Sequence, residues 1–141
     1  MALLVGFLLI GALGIAHHYG LMAIRAIQPD PEERSQALVI TTFLGLLTLH
    51  MAEILVFAAI YAGLLASGAL GELSGEYNGT WNGLIYFSGI NFATLGYTQI
   101  QTSGPIRMVN MMQSLGGFMV LTWSATFLYS ACEQAWRKSA S

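Results

Sequence analysis

Three long apolar runs, separated by polar or glycine-rich chain, set the pattern of the 141 residues. The first covers residues 2–24 and is interrupted only near its end, by His17, His18 and Tyr19. A secretory signal peptide would need a basic stretch ahead of it. None precedes it, so the run is read as a retained transmembrane helix. A short polar bridge follows, where Pro29 and Pro31 break the helix and Ser35 can cap a new one. The second run, residues 37–65, would measure roughly 43 Å as a helix, longer than a ~30 Å hydrocarbon core, and must tilt or protrude. Residues 68–80 carry Gly68, Gly71, Gly75 and Gly79 and read as a loop without regular structure. Residues 81–93 are amphipathic but too few to span. The third run, residues 106–131, is opened by Pro105, whose missing N–H costs nothing in a first turn.

Composition agrees with a chain that lives in lipid. Hydrophobic residues make up 55% and charged residues 9%, against about 25% charged in an ordinary soluble domain. Five Lys and Arg against seven Asp and Glu leave a net charge of −2, with no basic patch for nucleic acid. The single cysteine, Cys132, excludes an intrachain disulfide. Arg25 and Arg34 lie in the bridge, and Arg137 and Lys138 follow the last run. If the short segment dips into the bilayer and returns, these four face the cytoplasm and satisfy the positive-inside tendency. The N-terminus is then outside, the C-terminus cytoplasmic, and Glu72 and Glu76 sit in an outer loop with Arg107 as the only cation nearby in sequence.

The short segment ends in Thr94-Leu95-Gly96-Tyr97-Thr98. Irregular backbone at membrane depth is tolerated only where protein shields it or water reaches it. The string YFSGINFATLGYTQI, residues 86–100, resembles the pore helix and selectivity filter of the K⁺ channel superfamily, whose filter reads T-V/L-G-Y-G-D. Pro105 and the apolar run beyond it resemble that family's continuation into the pore-lining helix. The whole layout is similar to small bacterial two-helix-type channels with one extra N-terminal helix.

The resemblance implies an all-α membrane protein with three transmembrane helices, a re-entrant pore helix and a filter, assembled as a homotetramer in the lipid bilayer of a bacterial inner membrane. Residues 1–34 would form the added helix and cytoplasmic bridge, and 35–141 the pore domain. Within it fall an outer helix 35–67, an outer loop 68–80, a pore helix 81–93, a filter 94–98 and an inner helix 105–135. Backbone carbonyls of Thr94, Leu95, Gly96 and Tyr97 would hold K⁺ or another monovalent cation in place of its water shell. Tyr97 would brace outward against Trp81, Tyr86 or Phe87, and the negative end of the short helix would favour a cation. No other cofactor is implied.

Two departures bear on selectivity. Thr98 stands where the family has its second glycine, and Gln99 where it usually has aspartate. A β-branched residue enters a glycine-type backbone conformation only with strain. The outermost site is therefore expected to be disturbed, giving a cation pore with weakened preference for K⁺ over Na⁺.

On the third helix Asn110, Ser114, Gly117, Leu121 and Ser124 recur at intervals of 4, 3, 4 and 3. This small and polar face suits either a pore lining or a helix–helix contact, and Gly116-Gly117 either a hinge or close packing. Met108, Met111, Met112 and Met119 read as adaptable packing. His50 and Glu53 share a face near the middle of the second helix, where ionisable groups are costly and point to function. They suit mutual hydrogen bonding with Glu53 also bracing Asn91 or Ser88, a proton-sensitive gate, or a metal site completed by His17 or His18. Counting along the helices puts those two histidines several ångströms nearer the cytoplasm, against the metal reading.

The sequence holds no arginine ladder for a voltage sensor. Only a short tail follows the third run, which argues against a soluble regulatory domain. No phosphate-cradling loop, zincin motif or Ser/His/Asp set is present, so an enzyme is not expected. Two alternatives stay open: a proton-coupled or metal-dependent carrier built on His50, Glu53, His17 and His18, and a non-conducting subunit with a channel fold.

Overall fold

The computed structural model describes residues 1–30, 35–96 and 98–139, without the side chains of Lys138 and Ser139. Tyr97 of the expected filter and Arg34 of the bridge lie outside the described residues, as do Pro31, Glu32 and Glu33. Three helices are long and apolar enough to cross a membrane: α1 (Ala2–Ile27), α2 (Ser35–Ser67) and the last helix, Ile106–Ser139, which apolar composition qualifies up to Arg137. Between α2 and the last helix come β1 (Glu72–Gly75), α3 (Trp81–Phe92) and β2 (Ile100–Ser103), so the last helix is α4. The fold is all-α with a minor two-stranded sheet.

Each helix end has a local cause. Arg25 lies in the last turn of α1, where its charge complements the helix dipole. Gln28 leaves in extended geometry, and its Nε2 donates to Thr42 Oγ1 on α2 at 2.7 Å. Thr80 caps α3 by accepting from the Gly83 N–H at 3.2 Å, and is itself held by Asn78 Oδ1. At 12 residues α3 is roughly 18 Å long, too short to span. α4 begins at Ile106, whose N–H meets the Leu70 carbonyl at 2.6 Å. It runs past the expected end at 135, because the final turns contain no breaker and carry a Glu133–Arg137 pair one turn apart.

The loop expected over residues 68–80 needs correction. Glu72, Leu73, Ser74 and Gly75 pair antiparallel with Ser103, Thr102, Gln101 and Ile100. The glycines bracket the strand rather than prevent it. Gly71 (φ +117) and Gly75 (φ +74) bring their Cα atoms so close to the opposing chain that a Cβ would stand 2.0 Å from the Ser103 oxygen and 2.1 Å from the Gln99 oxygen. Arg107 Nε donates to the Thr102 carbonyl at 2.9 Å. Among the described residues it makes no ion pair with Glu72 or Glu76.

The core stacks in three tiers along the bundle. The outer tier joins Tyr61, Leu84, Phe87, Ile100, Ile106 and Val109. A middle tier gathers Leu13, Phe57, Phe92 and Val120, and an inner tier Leu21, Ile24 and Leu46. Behind α3 runs a buried polar relay. Tyr61 Oη donates to Gln113 Oε1 at 2.8 Å, Gln113 Nε2 donates to Ser88 Oγ at 2.9 Å, and Ser88 Oγ donates to the Ile54 carbonyl at 2.9 Å. A satisfied buried network of this kind fixes relative positions more than it adds stability. It bolts the short helix to α2 and α4.

Candidate functional site

The backbone after α3 turns in a way the sequence alone did not disclose. The N–H of Thr94 donates to the Asn91 carbonyl and that of Leu95 to the Ile90 carbonyl, both at 3.1 Å. This pair of bonds is a Schellman termination, which requires a left-handed residue at the position held by Thr94. Thr94 has φ +55, the only positive value for a non-glycine residue among the described residues. A glycine would sit there freely, whereas a β-branched residue costs of order 1–3 kcal/mol. Gly96 is also left-handed, at φ +63.

The consequence is an asymmetry of polar groups. The N–H groups of Ala93, Thr94 and Leu95 turn back into the helix end. Among the described residues no donor reaches the carbonyl oxygens of Thr94, Leu95 or Gly96, and residues 93–96 are exposed on the protomer. Thr98 Oγ1 accepts from the Ile100 N–H at 3.1 Å and anchors the far end of the segment to β2. Of the aromatics expected to brace Tyr97, Phe87 is committed elsewhere: it is buried against Tyr61, rings 5.1 Å apart. Trp81 and Tyr86 are exposed.

Part of the inner-helix stripe packs against other helices of the protomer. Gly117 sits so close to the C-terminus of α3 that a Cβ would meet the Phe92 carbonyl oxygen at 2.1 Å. Gly116 faces α1, where a Cβ would meet Ile10 Cδ1 at 2.6 Å. Ser124 is buried against His17, and Asn110, Ser114 and Leu121 are half-buried. Within a protomer Gly117 and Ser124 on this face are internal contacts, while Asn110, Ser114 and Leu121 stay partly open. Two buried polar atoms, Asn91 Nδ2 on α3 and Asn110 Oδ1 on α4, have no partner among the described residues.

The opposite face of α4 is open. Met111, Leu115, Phe118 and Met119 are exposed, and so are Thr122, Thr126 and Ser130. Each of these three hydroxyls donates to the carbonyl one turn back, at 2.8, 3.2 and 3.1 Å. The sequence carried a signal for this stripe, hydroxyls every fourth residue in an apolar helix, which the small-residue pattern outweighed.

His50 and Glu53 also find unexpected company. Glu53 Oε2 accepts from His50 Nδ1 at 2.9 Å, and Oε1 accepts from His17 Nδ1 at 2.8 Å. His17 is 0% exposed and Glu53 6%. Ser124 Oγ lies 3.3 Å from His17 Nε2. The two imidazoles stack at 5.6 Å and 14°. His18 is exposed and packs near Trp123 and Tyr19. The depth argument fails for a geometric reason. α1 and α2 run antiparallel, and side chains lean towards the N-terminus of their own helix, so His17 and Glu53 lean towards each other. The suggested brace from Glu53 to Asn91 or Ser88 is absent among the described residues: the Ser88 hydroxyl is spent on Ile54. Instead His50 touches the ring of Phe92, centroids 5.6 Å apart.

A family model described as an ion channel matches residues 38–134, most of the chain and all of the elements that surround residues 94–98. No curated protein and no solved structure matches the chain. The chain belongs to this ion-channel family, with the pore domain of the K⁺ channel superfamily, and is an integral membrane protein; α1 lies outside the matched segment.

Proposed function

We propose that this ion-channel chain assembles as a homotetramer and passes K⁺ or other monovalent cations between four copies of residues 94–98. The observation that carries this reading is the row of carbonyl oxygens at Thr94, Leu95 and Gly96 that no donor reaches among the described residues, on an exposed segment at the negative end of a short helix. Such oxygens are costly in a membrane unless something takes their lone pairs, and a dehydrated cation on a shared axis does so. Tyr97 extends the filter in this reading. One protomer cannot encircle an ion, so the site is complete only in the assembly. The exposed hydroxyls of Thr122, Thr126 and Ser130 would line the water-filled vestibule, where they cost nothing, while the Gly117 face holds the pore helix. The termini lie as the cationic residues suggest, N-terminus outside and C-terminus cytoplasmic, and the bacterial inner membrane is the membrane the layout fits.

Thr98 in place of glycine weakens the outermost site, and with it the preference for K⁺ over Na⁺. Purified protein in planar bilayers is expected to show unitary current steps with a reversal potential favouring K⁺ modestly under bi-ionic K⁺/Na⁺ conditions. Thr98→Gly is expected to raise that preference by about tenfold, equivalent to about 1.4 kcal/mol of ion discrimination. A strongly K⁺-selective wild type would remove the weakened-filter reading. Saturable proton-coupled flux without unitary steps would replace the channel with a carrier.

A further inference from the structure

We propose that His17, His50 and Glu53 form a binding site for a divalent transition-metal ion of the zinc class, which clips the added helix α1 to the pore domain. One ligand atom from each side chain lies within 4.8 Å of the others, and the three come from two helices at one depth. Two imidazoles and a carboxylate are a donor set that suits zinc and its neighbours. Mg²⁺ and Ca²⁺ demand more oxygen ligands than the cluster offers. For bonds of 2.0–2.1 Å a tetrahedral ion sets neighbouring ligand atoms about 3.3 Å apart. The two carboxylate oxygens lie 2.8 and 2.9 Å from the ring nitrogens of His17 and His50, so side-chain adjustments alone bring the three ligand atoms to that spacing.

The surroundings have the features of a metal's outer shell. Ser124 Oγ stands 3.3 Å from His17 Nε2, placed to accept from that nitrogen once an ion takes the place of the proton on Nδ1. Phe92 and Trp123 wall the rings with apolar surface. His50 and Ser124 line a groove of about 230 Å³ between α2 and α4, flanked by Leu46, Leu47, Leu121 and Ala125, and His50 is 15% exposed. A fourth position is left for water. The location gives the ion a mechanical meaning: His17 belongs to the helix outside the family match, whereas His50 and Glu53 belong to the outer helix within it.

The test uses tag-free, full-length protein in lipid nanodiscs, with Zn²⁺ titrated by calorimetry and Co²⁺ followed by absorption. One Zn²⁺ per chain and an intense tetrahedral Co²⁺ spectrum are expected in the wild type. His17→Gln and Glu53→Gln should each weaken Zn²⁺ binding by more than about 100-fold, and Ser124→Ala by about tenfold, as for an outer-shell partner. His18→Gln should leave it unchanged. Each variant is compared only if it elutes as the wild-type oligomer, and the wild-type titration stands independently of any variant. No stoichiometric Zn²⁺ binding by the wild type would overturn the site. So would a weak six-coordinate Co²⁺ spectrum, or an equal loss in His18→Gln and His17→Gln.

Discussion

Gly117→Ala is expected to abolish channel currents and to lower the stability of the protein by about 1–3 kcal/mol or more, the range for overpacking a tight contact. The added methyl would stand 2.1 Å from the Phe92 oxygen and 2.9 Å from its Cα. Both are backbone atoms that cannot rotate aside, so α4 and the end of α3 must separate by more than an ångström to restore ordinary contact. That end of α3 is the foundation of the proposed filter: Phe92 is its last helical residue, and the strained Thr94 follows two positions later. Ser88, one turn back, is tied to Gln113 on the same stretch of α4. Displacing Phe92 therefore moves the carbonyls that the proposed ions need. Leu8→Ala makes the control, since it shortens an exposed side chain on α1, away from this contact. Thermal unfolding and bilayer recordings of both variants separate the two cases: wild-type currents and stability in Gly117→Ala would show that the contact is not essential.

A loss of comparable size is expected on the other side of the pore helix. Glu53→Ala leaves His17 fully buried with its Nδ1 donor unpaired, and releases His50 from its neighbour. Removing one partner of a buried pair typically costs 3–5 kcal/mol. The apolar packing of α1 on α2 gives little in return, because a groove of about 280 Å³ opens between them at Glu53, lined by Leu13, Ala16 and Phe57 among others. α1 should accordingly exchange its amide hydrogens faster than α2 or α4 in the variant. A double-mutant cycle between His17→Leu and Glu53→Leu, read by thermal unfolding, should return a coupling well above the few tenths expected of independent sites. Simple additivity would mean that the buried cluster does not hold α1 in place.

How far the fold was legible follows the physics of each signal. Long apolar runs announce spanning helices directly, since lipid leaves them no alternative. The short pore helix was visible because residues 81–93 are amphipathic yet too few to span. Glycine was harder to read. At residues 71 and 75 it permits two backbones to meet, which looks in sequence the same as a loop. At residue 117 it permits a side-on contact with Phe92, which looks the same as a hinge. The stripe from Asn110 to Ser124 could not reveal whether it packs against other helices or stays open, because small residues serve both purposes. His17 was named beside Glu53 but discounted on depth: counting rise per residue locates Cα atoms, whereas the contact depends on the opposite lean of side chains on antiparallel helices. The left-handed Thr94 had no sequence signal at all, since glycine is the residue that normally marks such a position.

A direct determination of ion density in the purified full-length protein, imaged in K⁺, bears most heavily on the central proposition. Four chains about one axis, with density held between the carbonyl oxygens of Thr94, Leu95 and Gly96, is the result expected here. Chains that never meet around an axis, or oxygens at these positions satisfied by donors from their own protomer, would contradict it.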